Sequence, residues 1–131
     1  MMVKVIPQTM HFTGGVTEES LVGFRKFLET SPAPKTAKVE CYAKYNICYQ
    51  GTWSEESVTV LYLDGKAFLT DGFLWGYGGE GPKGLATMIT ETLCKMYPEL
   101  DHSTVANRAF QFVMSKSMTS SWKKDLTLIS F

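Results

Sequence analysis

The dipeptide Asp64-Gly65, set between VLYL and KAFL, constrains this chain more than any other pair of residues. A two-residue hairpin turn needs positive φ at both central positions, which Asp and Gly tolerate, so the flanking apolar runs must fold back on each other as antiparallel neighbours. Residues 38–45, 47–53 and 58–63 are rich in β-branched and aromatic side chains separated by short polar turns, and read as consecutive strands of an antiparallel meander.

Helical spacing governs the rest. After Gly14-Gly15, Leu21, Phe24 and Leu28 recur on one face until Ser31-Pro32-Ala33-Pro34 stops them, predicting a helix over about residues 17–30 with Thr17 as its cap and Glu18 and Glu19 at its positive end. From Lys83 to Met96, Leu85, Met88, Ile89, Leu93 and Met96 share a face, with Pro82 in the first turn and Pro98 beyond the end. Val105, Ala109, Phe112 and Val113 predict a third helix over about residues 104–116. Alternation in residues 126–131 predicts a final buried strand. The expected class is α+β, an antiparallel sheet with about three helices packed against it, in a single domain over residues 1–131.

Thirteen basic and thirteen acidic residues cancel, so no global field favours a nucleic acid polymer or an anionic membrane, and any anion must be caught locally. The first residues, MMVKVIPQTMHF, lack a basic leader followed by an apolar run, and no stretch has the length of a membrane helix. A cytoplasmic, soluble protein is expected. Cys41, Cys48 and Cys94 form no close pair and are expected to be reduced and packed. His11 and His102 have no carboxylate or cysteine at ligand spacing, so neither metal nor cofactor is expected. The high aromatic content with no net charge predicts an apolar patch buried between subunits, in a dimer or larger homo-oligomer.

The stretch GFLWGYGGEGPKGLA holds five of the eleven glycines between Gly72 and Gly81 and runs from a strand into a helix N-terminus. There the first backbone N–H groups have no internal partner and the dipole is positive, a place for phosphate or carboxylate. Successive glycine N–H groups can form an anion nest, Lys83 can add a full charge, and the neighbouring aromatics can stack a base. Gly76, Gly78 and Gly81 fit GxGxxG, but a hairpin rather than a parallel β-α-β unit precedes them. A Walker loop fails because Pro82 separates Gly81 from Lys83, and Gly84 stands where Ser or Thr would follow the lysine. Glu80 would repel a phosphate unless it bonded a ribose hydroxyl or base amine instead. A purely structural alternative stays open, in which the glycines make a tight turn, Phe73 and Trp75 bury one face, and Tyr77 closes the corner.

The run FLWGYGGEGPKGLA resembles the WGYGG-(S/E)-GP-x-x-LA signature of a bacterial and phage domain family of unknown function. It is also similar to the core of the phage type 1 Thoeris anti-defence proteins, cytosolic sponges that sequester cyclic ADP-ribose signals. The resemblance spans about residues 58–96. It implies a homo-oligomeric binder of a cyclic ADP-ribose isomer, with Phe73 and Lys83 at the ligand, and in some members a second site between subunits for cyclic oligonucleotides. Gly23 and Arg25 on the first helix are the candidates for such a second site.

The candidate ligand-binding residues are therefore Phe73, Trp75, Tyr77, Gly78, Gly79, Glu80, Gly81 and Lys83. Arg108 joins them because a guanidinium binds phosphate bidentately or stacks on a base. Ser115, Ser117, Ser120 and Ser121 lack an evident base and read as capping or loop residues. No residue set supports acid–base or nucleophilic chemistry. Two alternatives remain: a nucleotide-processing enzyme using Glu80, and an inhibitory protein-interaction module with Trp75 and Tyr77 as exposed anchors.

Overall fold

The computed structural model describes residues 3–5, 11–13, 16–49 and 51–127. In chain order they form β1 (Val3–Val5), β2 (His11–Thr13), α1 (Thr17–Glu29), β3 (Ala37–Tyr49), β4 (Thr52–Leu63), β5 (Lys66–Thr70), α2 (Glu80–Met96), α3 (His102–Met114) and β6 (Trp122–Asp125). The class is α+β: β6, β3, β4 and β5 lie antiparallel in that order. The two short strands β1 and β2 extend the sheet in parallel fashion, β1 beside β3 and β2 beside β5.

The Asp64-Gly65 turn has the required geometry, with φ of 49° and 81°. It sets Leu63 opposite Lys66 and Tyr62 opposite Ala67. The Asp64 carboxylate also accepts from the backbone N–H groups of Lys35 and Thr36, at 2.9 and 3.0 Å, which ties the hairpin to the entry of β3.

Three of the expected boundaries need correction. Residues 38–63 are two long strands and not three, because the segment 47–53 straddles a turn at Gly51, where φ is 79°. The polar break expected near residue 46 is a β-bulge, which shifts the β3–β4 register between Tyr42 and Tyr45 without ending the strand. The expected strand over 126–131 is displaced: β6 lies earlier and pairs with residues 38–41, Leu126 is buried just after it, and residues 128–131 fall outside the described residues.

The helices start close to where spacing puts them, with different caps. Thr17 does not cap α1: Val16 holds that place without a side-chain bond, and the Thr17 hydroxyl donates to the Gly72 carbonyl at 2.8 Å. α3 starts earlier than expected because Asp101 caps it, accepting from the Thr104 N–H at 3.0 Å.

All three helices cover one face of the sheet. Phe24 and Phe27 of α1 pack their rings on Phe68 of β5, with centroids 6.3 and 5.7 Å apart. Leu85, Met88, Ile89 and Leu93 of α2 and Ala109 and Val113 of α3 complete that core, all fully buried with Val39, Cys41, Leu61 and Leu63. The opposite face of β4 and β5 is buried as well, at Val58, Val60, Ala67 and Leu69. Among the described residues no helix is long and apolar enough to cross a membrane.

Hydrogen bonds from the Thr36 and Lys35 backbone hold the Asp64 carboxyl below the ordinary carboxylate range. A depressed native pKa stabilises the fold above the unfolded value of about 4 and loses that contribution as pH falls through the native value. Asp64→Asn keeps a residue that tolerates positive φ and removes the titration. The variant is expected to melt below the parent at neutral pH, and the gap should close below about pH 4; melting curves against pH check it.

Candidate functional site

The glycine-rich corner leaves β5 at Thr70 and enters α2 at Glu80. Its glycines are mostly places where another part of the chain comes close. Gly76 combines a φ of 77° with a neighbour so near that a Cβ would stand 2.5 Å from the Lys116 carbonyl oxygen and 2.6 Å from the Met118 nitrogen. Inside α2, a Cβ on Gly84 would stand 2.5 Å from the Thr17 methyl and 2.7 Å from the Phe73 ring. At Gly79 and Gly81 the space of a side chain is taken by the ring and hydroxyl of Tyr77, folded back over the first turn of the helix. Gly78 alone in this corner is open, with nothing within 4 Å of a built Cβ. Tyr77 thus fills the side-chain space at two of the glycines of the expected anion nest.

The aromatic residues need a second correction. Phe73 and Trp75 are 0% and 1% exposed, so neither offers a ring face to a ligand, and Trp75 is no exposed anchor. They alternate along an extended segment whose inward side faces the core, while Tyr77 stays 37% exposed. The Phe73 carbonyl accepts from the Thr59 hydroxyl at 2.6 Å. The Trp75 indole N–H donates to the carbonyls of Ser117 and Ser120, at 2.9 and 3.2 Å, and its ring meets Trp122 edge-on at 6.3 Å.

The charged candidates fall in three places: Glu80 with Lys83 on α2, Arg25 on α1 and Arg108 on α3. Lys83 and Glu80 are both exposed, one turn apart at the start of α2, and pair loosely at 3.5 Å. Lys83 borders a cleft of about 230 Å³ between α2 and α3, which also takes in Thr87, Glu91, His102 and Phe110. Arg25 forks onto Glu91 through Nε at 3.1 Å and Nη2 at 2.7 Å, clamping α1 to α2. Gly23 is half-buried on α1, and Arg108 is exposed on α3. Arg108 borders neither this cleft nor the next one described.

A second cleft, of about 170 Å³, opens behind Tyr77. Leu74, Trp75 and Tyr77 of the corner meet Met118 and Thr119 of the α3–β6 connection and Lys44 and Ser57 of the long β3–β4 pair. Of these, Lys44, Ser57, Met118 and Thr119 escaped the sequence reading because they are distant in the chain. A signal for local charge was nevertheless present. Residues 102–124 carry Arg108, Lys116, Lys123 and Lys124 and no acid, a basic stretch in a neutral chain. There Lys116 lies 4.5 Å from the Phe112 ring centroid and 5.6 Å from that of Trp122, a cation–π arrangement.

Among the described residues, no three metal-ligating side chains come together. Burial pushes the Cys41 and Cys94 thiols up, with the charges of Asp101 and Glu91 adding to the effect at Cys94, so both stay protonated and weakly nucleophilic. His11 has no described side chain. Comparison with protein-family models, curated proteins and solved structures finds no match for this chain.

The packing separates structural from surface residues. Phe73→Ala should cost about 3–5 kcal/mol as a core truncation. Gly76→Ala and Gly84→Ala should each cost at least about 1 kcal/mol through positive φ or overpacking. Gly78→Ala and Lys83→Ala should stay within about 0.5 kcal/mol of the parent. Chemical denaturation of the five variants measures these values.

Proposed function

We propose that this protein binds a small phosphate-bearing nucleotide of the cyclic ADP-ribose type and holds it without cleaving it, as a phage anti-defence sponge acting in the host bacterial cytoplasm. The likeness of FLWGYGGEGPKGLA to the Thoeris anti-defence core supports the ligand class. One structural observation carries the binding part: Tyr77, the open Gly78 and Lys83 face outward at the N-terminus of a 17-residue helix, on a corner whose inner side is fully packed. A rim held this way binds with little ordering cost. Glu80, beside Lys83, is the acceptor for ribose hydroxyls, a binding role that requires no proton transfer.

Cleft size supports homo-oligomerisation. The two clefts, about 230 and 170 Å³, fall below the roughly 300–1,000 Å³ of pockets that enclose drug-sized ligands. In either of these two clefts between described residues, a cyclic dinucleotide-sized molecule needs another wall, which a second copy of the chain supplies. Phe110 and Met114, one turn apart on α3 and 37% and 38% exposed, offer apolar surface for that contact, as does Met118. A further anion at Gly23 and Arg25 would have to displace Glu91 from its fork. Neither a nucleic acid polymer nor a membrane is part of this proposal.

Protein incubated with a cyclic ADP-ribose isomer, separated from free ligand and then heated, is expected to release the molecule at unchanged mass. Release of an altered mass would identify an enzyme. Light scattering at high micromolar concentration is expected to report a dimer or larger, and a monomer would remove the shared-wall account.

A further inference from the structure

We propose that the cleft behind Tyr77 is a sugar-phosphate subsite in which Lys44 supplies the charge. The inference rests on reading the glycine corner as a binding surface, since Tyr77 belongs to both. Its starting point is the interval between two strand pairings on one edge of β3. β6 pairs with residues 38–41 and β1 with residues 46–48 on that edge, while β4 follows the other. In the interval, Ala43 and Lys44 together oppose Ser57 in a bulge, because Tyr42 pairs with Val58 and Tyr45 with Glu56. Lys44 adopts a φ of 55°. That conformation is disfavoured for a side chain of this kind, and Gly or Asn would hold it more easily.

Local hydrogen bonds keep it in place. The Ala43 N–H donates to the Ser121 hydroxyl at 2.8 Å and the Lys44 N–H to the Ser57 hydroxyl at 3.1 Å, so two serines stand in for strand partners. Bulges re-aim side chains, and here the lysine borders the cleft without an ion pair among the described residues. The opposite wall is fixed by the Trp75 indole on the Ser117 and Ser120 carbonyls and by Gly76 against residues 116 and 118. Lys44 is the charged residue that lines the cleft, so the local charge there is positive.

Size and lining choose the ligand class. About 170 Å³ is roughly half the smallest pocket for a drug-sized molecule, room for one ring and its charged substituent. Leu74, Met118 and the Tyr77 ring offer apolar contact for ring carbons, Ser57 and Thr119 hydroxyls for ring hydroxyls, and Lys44 an ammonium for the phosphate. In a nucleotide, this is the ribose phosphate.

The test is an NMR titration of the full chain with ribose 5-phosphate, with ribose as the uncharged control. Backbone amides of Lys44, Ser57, Tyr77 and Thr119 are expected to shift with ribose 5-phosphate and hardly with ribose. Lys44→Gly relieves the backbone and removes the charge, so it should melt no lower than the parent and bind ribose 5-phosphate at least tenfold more weakly; Lys44→Asn should do the same. Lys26→Ala, at an exposed position on α1 outside the cleft lining, should leave this titration unchanged. No shifts at those amides, or parent-like affinity in the folded Lys44 variants, overturns the subsite. Capture of a cyclic ADP-ribose isomer by a protein without these shifts overturns the subsite and leaves sequestration standing. Cleft shifts in a protein that captures no such isomer support the subsite and overturn sequestration.

Discussion

The close approach of the α3–β6 connection to Gly76 is the contact on which the glycine-rich corner depends. With no Cβ at that position, the backbone of residues 116–118 lies against the corner, and the Trp75 indole N–H then reaches two carbonyls of the same connection. Trp75 is thereby drawn into the core, Phe73 follows it two residues earlier, and Tyr77, two residues later, is turned outward. A larger residue at Gly76 would separate these pieces, and the cleft behind Tyr77 would lose a wall.

Glycine density near a helix start is usually associated with a flexible loop closing on phosphate, and this chain uses it differently. The glycines admit α1 at Gly84, the α3–β6 connection at Gly76 and the Tyr77 ring at Gly79 and Gly81. Rigidity comes from packing, and Tyr77, Gly78 and Lys83 are left on the outer rim.

The parts of the fold governed by local rules were legible in the sequence. Asp64-Gly65 specified its hairpin because the turn chemistry is contained in two residues, and α2 was legible because one apolar face spans four turns between two prolines. What escaped depends on distant partners. β6 is four residues long and takes its shape from β3, and β1 and β2 are three-residue strands that no periodicity marks. The bulge at Lys44 looked like a turn because polar residues interrupt an apolar run in both cases. Phe73 and Trp75 were assigned to the ligand on their proximity to glycines; the competing structural alternative, in which they bury one face, was the better guide. The place of Lys44 beside the cleft was invisible because the fold, not its neighbours in sequence, brings it there.

The claim that most needs testing is that the corner is a packed joint. Hydrogen exchange of the Trp75 indole N–H, followed by NMR in increasing denaturant, tests it at the atom that joins the corner to the α3–β6 connection. A packed joint requires that this proton exchange only through global unfolding, with the free energy and denaturant slope of the whole domain. Exchange through a local opening, at a much lower free energy and with little denaturant dependence, would show a mobile loop and contradict the account.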